Sequence, residues 1–271
     1  IRERTALVLA NSCTPWCLRV SVKDVLHAYC SGTIFGQPSG DAPFSVLALH
    51  GWRRDHHDFQ ALFDGGLPGN LSGLAVDLPG FGASAPPPTA WGSAEYAEAL
   101  LGLFELMVDR PVLLGHSFGG RVALQFAALY PDRIGGLVLT GVPLIANVSQ
   151  SRSRSSYRVL RALAHRRLVS PERLERARKR YGSPDYLAAE GVMREVLIRS
   201  VNERYEQLMP KVRTHVELVW GDQDTVAPVE LERQALELFS DANLKVLEHC
   251  GHMLPLEASF ELSMAVERCL S

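Results

Sequence analysis

Ser117 stands in the middle of Gly115-His-Ser-Phe-Gly119, a G-x-S-x-G run placed directly behind the apolar stretch Val112-Leu-Leu114. A serine hydroxyl becomes a nucleophile when a base takes its proton and an acid orients that base. Both residue types occur further along the chain. Trp220-Gly-Asp-Gln-Asp-Thr-Val-Ala-Pro228 carries two candidate acids, and Glu248-His-Cys-Gly-His252 carries two candidate bases. The chemistry these groups can perform is acyl transfer through a covalent serine intermediate. His116, beside the serine, is a poor candidate for the base. On a tight turn it points elsewhere, and its expected role is packing or hydrogen bonding beside the turn.

Such chemistry needs a strand that turns sharply into a helix, so that the hydroxyl stands proud of a sheet. Small neighbours at 115 and 119 leave room for the strained backbone this requires. The helix start then aims backbone N–H groups at the reaction centre. The flanking sequence reads this way: Pro111–Leu114 as strand, Gly119–Tyr130 as helix. Around them short apolar strands alternate with amphipathic helices. Strands are expected at Ser45–Leu49, Leu71–Val76, Ile134–Leu139, Val216–Trp220 and Leu244–Leu247. Val20, Val22 and Val25–Tyr29 suggest a β-hairpin. Helices are expected at Asp58–Phe63, from N-cap Ser93 to Val108, at Val229–Phe239 and at Ala258–Leu270. Strands apolar on both faces and separated by helices imply a parallel sheet covered on both sides, with its site beyond the strand carboxyl ends. His50–Trp52, Asp77–Ser84, His116–Phe118, Gly141–Pro143, Asp222–Asp224 and His249–His252 all fall there.

Residues 142–209 break the alternation, reading as helices with no strand between them. Fourteen Lys/Arg face seven Asp/Glu in this segment, whereas the rest of the chain is acidic. The segment is read as an inserted helical cap, and 18–141 with 210–271 as one α/β core. Residues 1–17 lack a period and read as an N-terminal extension. The seven basic residues Arg166, Arg167, Arg173, Arg176, Arg178, Lys179 and Arg180 are expected to form a solvated helix face, with guidance of an acidic or phosphate-bearing substrate as the alternative.

The 271 residues are 46% hydrophobic with net charge −2. This supports a sizeable globular core and gives no electrostatic reason to expect nucleic acid as partner. No stretch approaches the roughly 18 apolar residues of a membrane span. Five sparse cysteines argue against a disulfide framework and for a reducing, cytoplasmic setting. Cys13 and Cys17 form half a metal site at most, with no matching pair at zinc spacing. No metal or other cofactor is expected. Asp77–Ser84 has the glycines of a phosphate loop but no Lys after them, which excludes a P-loop.

Five ordered blocks together resemble the α/β-hydrolase superfamily, in particular its capped, esterase/lipase-like serine hydrolases. They are His50-Gly-Trp52, Asp77-Leu-Pro-Gly-Phe-Gly-Ala-Ser84, Gly115-His-Ser-Phe-Gly-Gly120, Gly221-Asp-Gln-Asp224 with Pro228, and Gly251-His252. The likeness spans about residue 20 to the end. It implies an α/β-hydrolase fold: a mostly parallel eight-stranded sheet, helices on both faces and an inserted helical cap. It places the acid at Asp224 rather than Asp222 and the base at His252 rather than His249. The backbone N–H groups of Trp52 and Phe118 become the expected oxyanion hole, and His50 a brace for its loop. Leu144, Tyr157, Leu160 and Met193 are candidates for lining the substrate pocket.

The resemblance also narrows the chemistry. Epoxide hydrolases and haloalkane dehalogenases use an aspartate where Ser117 stands. Carbon–carbon bond hydrolases share the triad but typically carry Asn where this chain has His116. A cap of this length disfavours lid-free perhydrolases. Hydrolysis of a small-molecule carboxylic ester is the expected reaction, with thioester or carbon–carbon cleavage as alternatives. A hydrolase-like receptor is the non-enzymatic one. The oligomeric state is left open between monomer and dimer.

Overall fold

The computed structural model describes residues 25–145 and 183–270. Among them eight strands form one sheet in the order β1-β2-β4-β3-β5-β6-β7-β8. They are β1 (His27–Tyr29), β2 (Ile34–Ser39), β3 (Phe44–Leu49), β4 (Gly73–Asp77), β5 (Met107–His116), β6 (Gly136–Thr140), β7 (His215–Gly221) and β8 (Ala242–Leu247). β2 runs antiparallel to β1 and β4, and all other pairings are parallel. This is the sheet the resemblance implies.

The central strands are apolar over most of their length because both faces are covered. Leu47, Leu49, Leu113, Leu137, Leu139, Leu218 and Trp220 enter one core cluster. Their alternating neighbours Val46, Ala48, Val112, Leu114, Val138 and Val219 enter a second cluster on the opposite face. The first face is covered by α2 (Ser93–Ala99), α3 (Phe118–Leu129) and α6 (Val229–Leu236). The second is covered by α1 (Gln60–Asp64), α7 (Leu254–Glu257) and α8 (Ser259–Arg268). Each fully buried Leu, Val or Phe contributes roughly 1.5–3 kcal/mol, so the two faces together hold the strand ends in a fixed array.

Several boundaries differ from the sequence reading. The hairpin is formed by β1 and β2, later in the chain than expected; Val20 and Val22 lie outside the described residues. β2 contains Gly36 and Pro38, which conceal a strand in sequence. The helix expected from Ser93 to Val108 ends at Ala99 and continues as 3-10 turns over Leu101–Leu106, around Gly102. Its N-cap is Gly92, not Ser93. Glu95 accepts the Gly92 N–H, while the Ser93 N–H goes to Glu203. β5 therefore starts at Met107, before the expected Pro111.

Between Thr140 and His215 the described residues include α4 (Pro184–Ala188), α5 (Gly191–Ser200) and a 3-10 turn, but no strand. α5 is fastened to the sheet's helices by polar contacts. Arg121 Nη1 donates to the Ser200 carbonyl and hydroxyl at 2.8 Å each. Arg199 reaches Glu95 at 2.6 Å and the Ala90 carbonyl at 2.8 Å. Among the described residues no helix is long and apolar enough to cross a membrane.

Candidate active site

β5 ends at His116 and α3 starts at Phe118, leaving Ser117 alone at the turn with φ 50° and ψ −109°. This left-handed backbone is costly for a non-glycine residue and survives because its surroundings hold it. The Ser117 N–H donates to the Thr140 carbonyl and the Gly119 N–H to the His50 carbonyl, both at 2.9 Å. A Cβ at 119 would strike the backbone of Leu49 and His50, and one at 115 would lie 2.5 Å from the Gly120 Cα. Only glycine lets the elbow sit this close to β3 and to its own helix.

The carboxyl ends of β7 and β8 bring the other two groups to the hydroxyl. His252 Nδ1 lies 2.8 Å from Asp224 Oδ2, and His252 Nε2 lies 3.2 Å from Ser117 Oγ. A carboxylate accepts, so Nδ1 carries the hydrogen and Nε2 presents its lone pair to the serine. The second Asp224 oxygen accepts the N–H groups of Val226 at 2.8 Å and Ala227 at 2.9 Å, which fixes the carboxylate. Asp222 and His249 are both exposed and take no part in this array.

Three further histidines brace the loops. His50 Nδ1 donates to the Gly51 carbonyl at 2.7 Å, and Nε2 accepts the Leu78 N–H at 3.0 Å. These two bonds fix its tautomer, and burial pushes its pKa down, which keeps the ring neutral. His116 donates from Nε2 to the His252 carbonyl at 2.9 Å. Burial, followed by the neighbouring His252, lowers its pKa to about 3, so it stays neutral beside the candidate base. His56 pairs with the fully buried Asp77 at 2.7 Å. Asp77 also accepts the N–H groups of His56 and Ala83, at 2.8 Å each, and so shapes the turn up to Ser84. Burial alone would raise the Asp77 pKa and lower that of His56. Their mutual bond outweighs it, holding the carboxyl low and the imidazole high.

Trp52 and Phe118 flank the serine. Their rings meet edge to face with centroids 5.3 Å apart, and Phe81 and Tyr96 complete an aromatic cluster around Phe118. A Cβ on Gly51 would lie 3.4 Å from the Ser117 Cβ, so the start of the Trp52 loop borders the nucleophile. Among the described residues, neither the Trp52 nor the Phe118 N–H has a hydrogen-bond partner. Leu144 is 1% exposed in the core, and Met193 seats its thioether on Gly80. Tyr157 and Leu160 lie outside the described residues, as do the seven basic residues of the expected solvated face. Arg194 and Arg199, which are described, are engaged with the Ala189 carbonyl and with Glu95.

Asp55, His56 and His57 are the one group among the described residues close enough to share a metal ion. Their contacts have a structural account: Asp55 accepts the His57 N–H at 3.0 Å as a helix cap, and His56 is committed to Asp77. Sequence reasoning missed Glu232, a fully buried carboxyl on α6. Its signal is the spacing Val229, Glu232, Ala235 and Phe239, which sets an acid into an apolar helical stripe.

The sequence model of the alpha/beta hydrolase family matches residues 46–263. A 2-hydroxy-6-oxononadienedioate/2-hydroxy-6-oxononatrienedioate hydrolase of a Pseudomonas species is 24% identical, over 90% of this chain and 93% of its own. The lipase LipV of Mycobacterium tuberculosis is 31% identical, over 84% of this chain and 93% of its own. Among solved structures, a thermophilic esterase from Thermogutta terrifontis superposes with a TM-score of 0.65 at 23% identity, covering 91% of this chain and 97% of that one.

Proposed function

From the premise that the chain belongs to the alpha/beta hydrolase family, we propose that it is a serine hydrolase of carboxylic esters, with Ser117 as nucleophile, His252 as base and Asp224 as orienting acid. The observation that carries this reading is the unbroken line from Ser117 Oγ through His252 to Asp224, at 3.2 and 2.8 Å. Of the expected cap segment 142–209, residues 146–182 lie outside the described residues.

The steps follow from that line. Ser117 Oγ attacks the ester carbonyl carbon while His252 Nε2 takes the hydroxyl proton. The carbonyl π pair moves onto oxygen, and the N–H groups of Trp52 and Phe118 receive the oxyanion. Each such donor is worth roughly 100- to 1,000-fold in rate. Asp224 stabilises the imidazolium and keeps its Nδ1 hydrogen in place. The oxyanion collapses, the C–O bond to the alcohol breaks, and His252 returns the proton to the leaving oxygen. Water then repeats the sequence on the acyl-enzyme, releasing acid and free serine. The neutral His116 places no second positive charge beside the imidazolium.

Carbon–carbon bond cleavage on the same triad is the second reading. The Pseudomonas hydrolase supports it, covering nearly the whole chain; His116 in place of the usual Asn speaks against it. Turnover of p-nitrophenyl acetate and butyrate, against a Ser117→Ala control, tests the ester reading. Turnover well above that control is the expected result. No turnover above it, with no labelling by a fluorophosphonate, would reject a serine hydrolase.

A further inference from the structure

The core-facing stripe of α6 contains Val229, Glu232 and Ala235, with Phe239 just beyond the helix. Glu232 is 0% exposed, and neither carboxyl oxygen has a hydrogen-bond partner among the described residues. The other deeply buried carboxylates are each engaged; Asp58 accepts from Arg54 through one oxygen, its other oxygen having no partner among the described residues. Asp77 and Asp224 accept backbone N–H groups, and Glu217 is held by Arg268, His215 and Asn243. Glu232 only faces the backbone N–H of Leu144, outside the geometry of a closed hydrogen bond. An unpaired carboxylate cannot be kept ionised in such a place; the group retains its proton instead.

We propose that Glu232 is carried as a neutral carboxylic acid between the Asp224 loop and the Leu144 segment, and that its ionisation in alkali disables the site by setting a second negative charge near Asp224.

Among the described residues the charges around it are few. Asp224, on the loop leading into α6, is the charged group that acts on Glu232. The Gly141–Leu144 segment carries no charged side chain. Glu230, Arg233 and Glu237 are exposed on the outer face of α6. α6 packs on β7 and β8, whose Glu217 and Lys245 are paired with Arg268 and Glu261 of α8, on the far side of the sheet. Among the described residues, nothing nearby compensates a negative Glu232. Burial pushes its pKa up to about 9; the Leu144 N–H opposes this and the Asp224 charge adds to it. The folded protein thus holds a proton that the unfolded chain releases near the ordinary glutamate pKa. Stability is fully present below that value and is lost as pH rises towards about 9.

The test compares wild type, Glu232→Gln and Glu232→Met. Gln keeps the shape without an ionisable proton, and Met fills the apolar stripe should Gln fold poorly. Thermal melts from pH 5 to 10 should show wild type losing several degrees more than either variant between pH 6 and 9. Wild-type kcat/KM should fall about tenfold per pH unit above the Glu232 pKa, with no such limb in the variants. Melting curves that run parallel in all three proteins overturn the proposal, as does an unchanged alkaline limb. Only the activity arm rests on the proposed function. A wild type inactive on every ester would refute that function, while the melts still decide where the Glu232 proton resides.

Discussion

Two buried aspartates at the carboxyl side of the sheet hold histidines at almost the same distance. Asp224 Oδ2 meets His252 at 2.8 Å, and Asp77 Oδ1 meets His56 at 2.7 Å. Both carboxylates also accept backbone N–H groups that fix their loops. What differs is the rest of each imidazole. The His252 side chain is 21% exposed, and its Nε2 points at the Ser117 hydroxyl. The His56 side chain is 9% exposed, and its ring leans on His57, with centroids 4.0 Å apart. A histidine–carboxylate pair is therefore a brace in itself. It becomes a candidate base only where the second nitrogen has a nucleophile in front of it.

If that distinction is right, removing one pair costs rate and removing the other costs stability. Ser117→Ala and His252→Ala should each lower kcat/KM on p-nitrophenyl butyrate by on the order of 10⁴ or more, and the double variant should lose little beyond that. Their melting temperatures should stay within a few degrees of wild type. Asp77→Asn should do the reverse. It leaves the buried His56 without its counter-charge and sets an amide NH2 against N–H donors that the carboxylate accepted, at a cost of about 3 kcal/mol. A melting temperature roughly 6–12 °C lower, with kcat of the folded enzyme within about fivefold, would fit. A large kcat loss in Asp77→Asn without destabilisation would erase the distinction.

The same comparison has a pH signature. The raised His56 pKa contributes stability that is present below the ordinary histidine value and lost as pH rises through the higher folded value. The lowered Asp77 pKa contributes stability that is present above the ordinary carboxylate range and lost as pH falls through the lower folded value. The pair is thus worth most between those limits. In His56→Asn, the part of the stability loss above neutral pH that comes from this pair should disappear, as read from melts between pH 6 and 9.

His116 gives the smallest effect. His116→Asn has an amide hydrogen to offer the His252 carbonyl and should stay within a fewfold of wild type. His116→Ala removes the donor and should lower kcat by about tenfold, the worth of one hydrogen bond of roughly 1.4 kcal/mol. With its pKa lowered to about 3, His116 should add no limb to the activity profile between pH 5 and 8.

Much of this was legible in the sequence, for physical reasons. An elbow must be written in local residues, since Gly115 and Gly119 meet backbone that tolerates no side chain. Strands covered on both faces must be mostly apolar, so β3, β5, β6 and β7 stood out. β2 did not, because Gly36 and Pro38 break its pattern. The helix from Ser93 was overrun, because its apolar period continues through 3-10 turns up to a strand. His116 could be set aside as a base from its position alone. Its partner could not be read, since the His252 carbonyl lies 136 residues away in sequence. Glu232 escaped because an acid on an amphipathic helix looks like surface until the helix is seen to be turned inward.

Fluorophosphonate labelling followed by peptide mapping tests the central claim most directly. One adduct per chain, on Ser117, absent from Ser117→Ala and strongly slowed in His252→Ala, is the predicted result. An adduct on another serine, or ester turnover that survives Ser117→Ala, would contradict the assignment of Ser117 as the nucleophile.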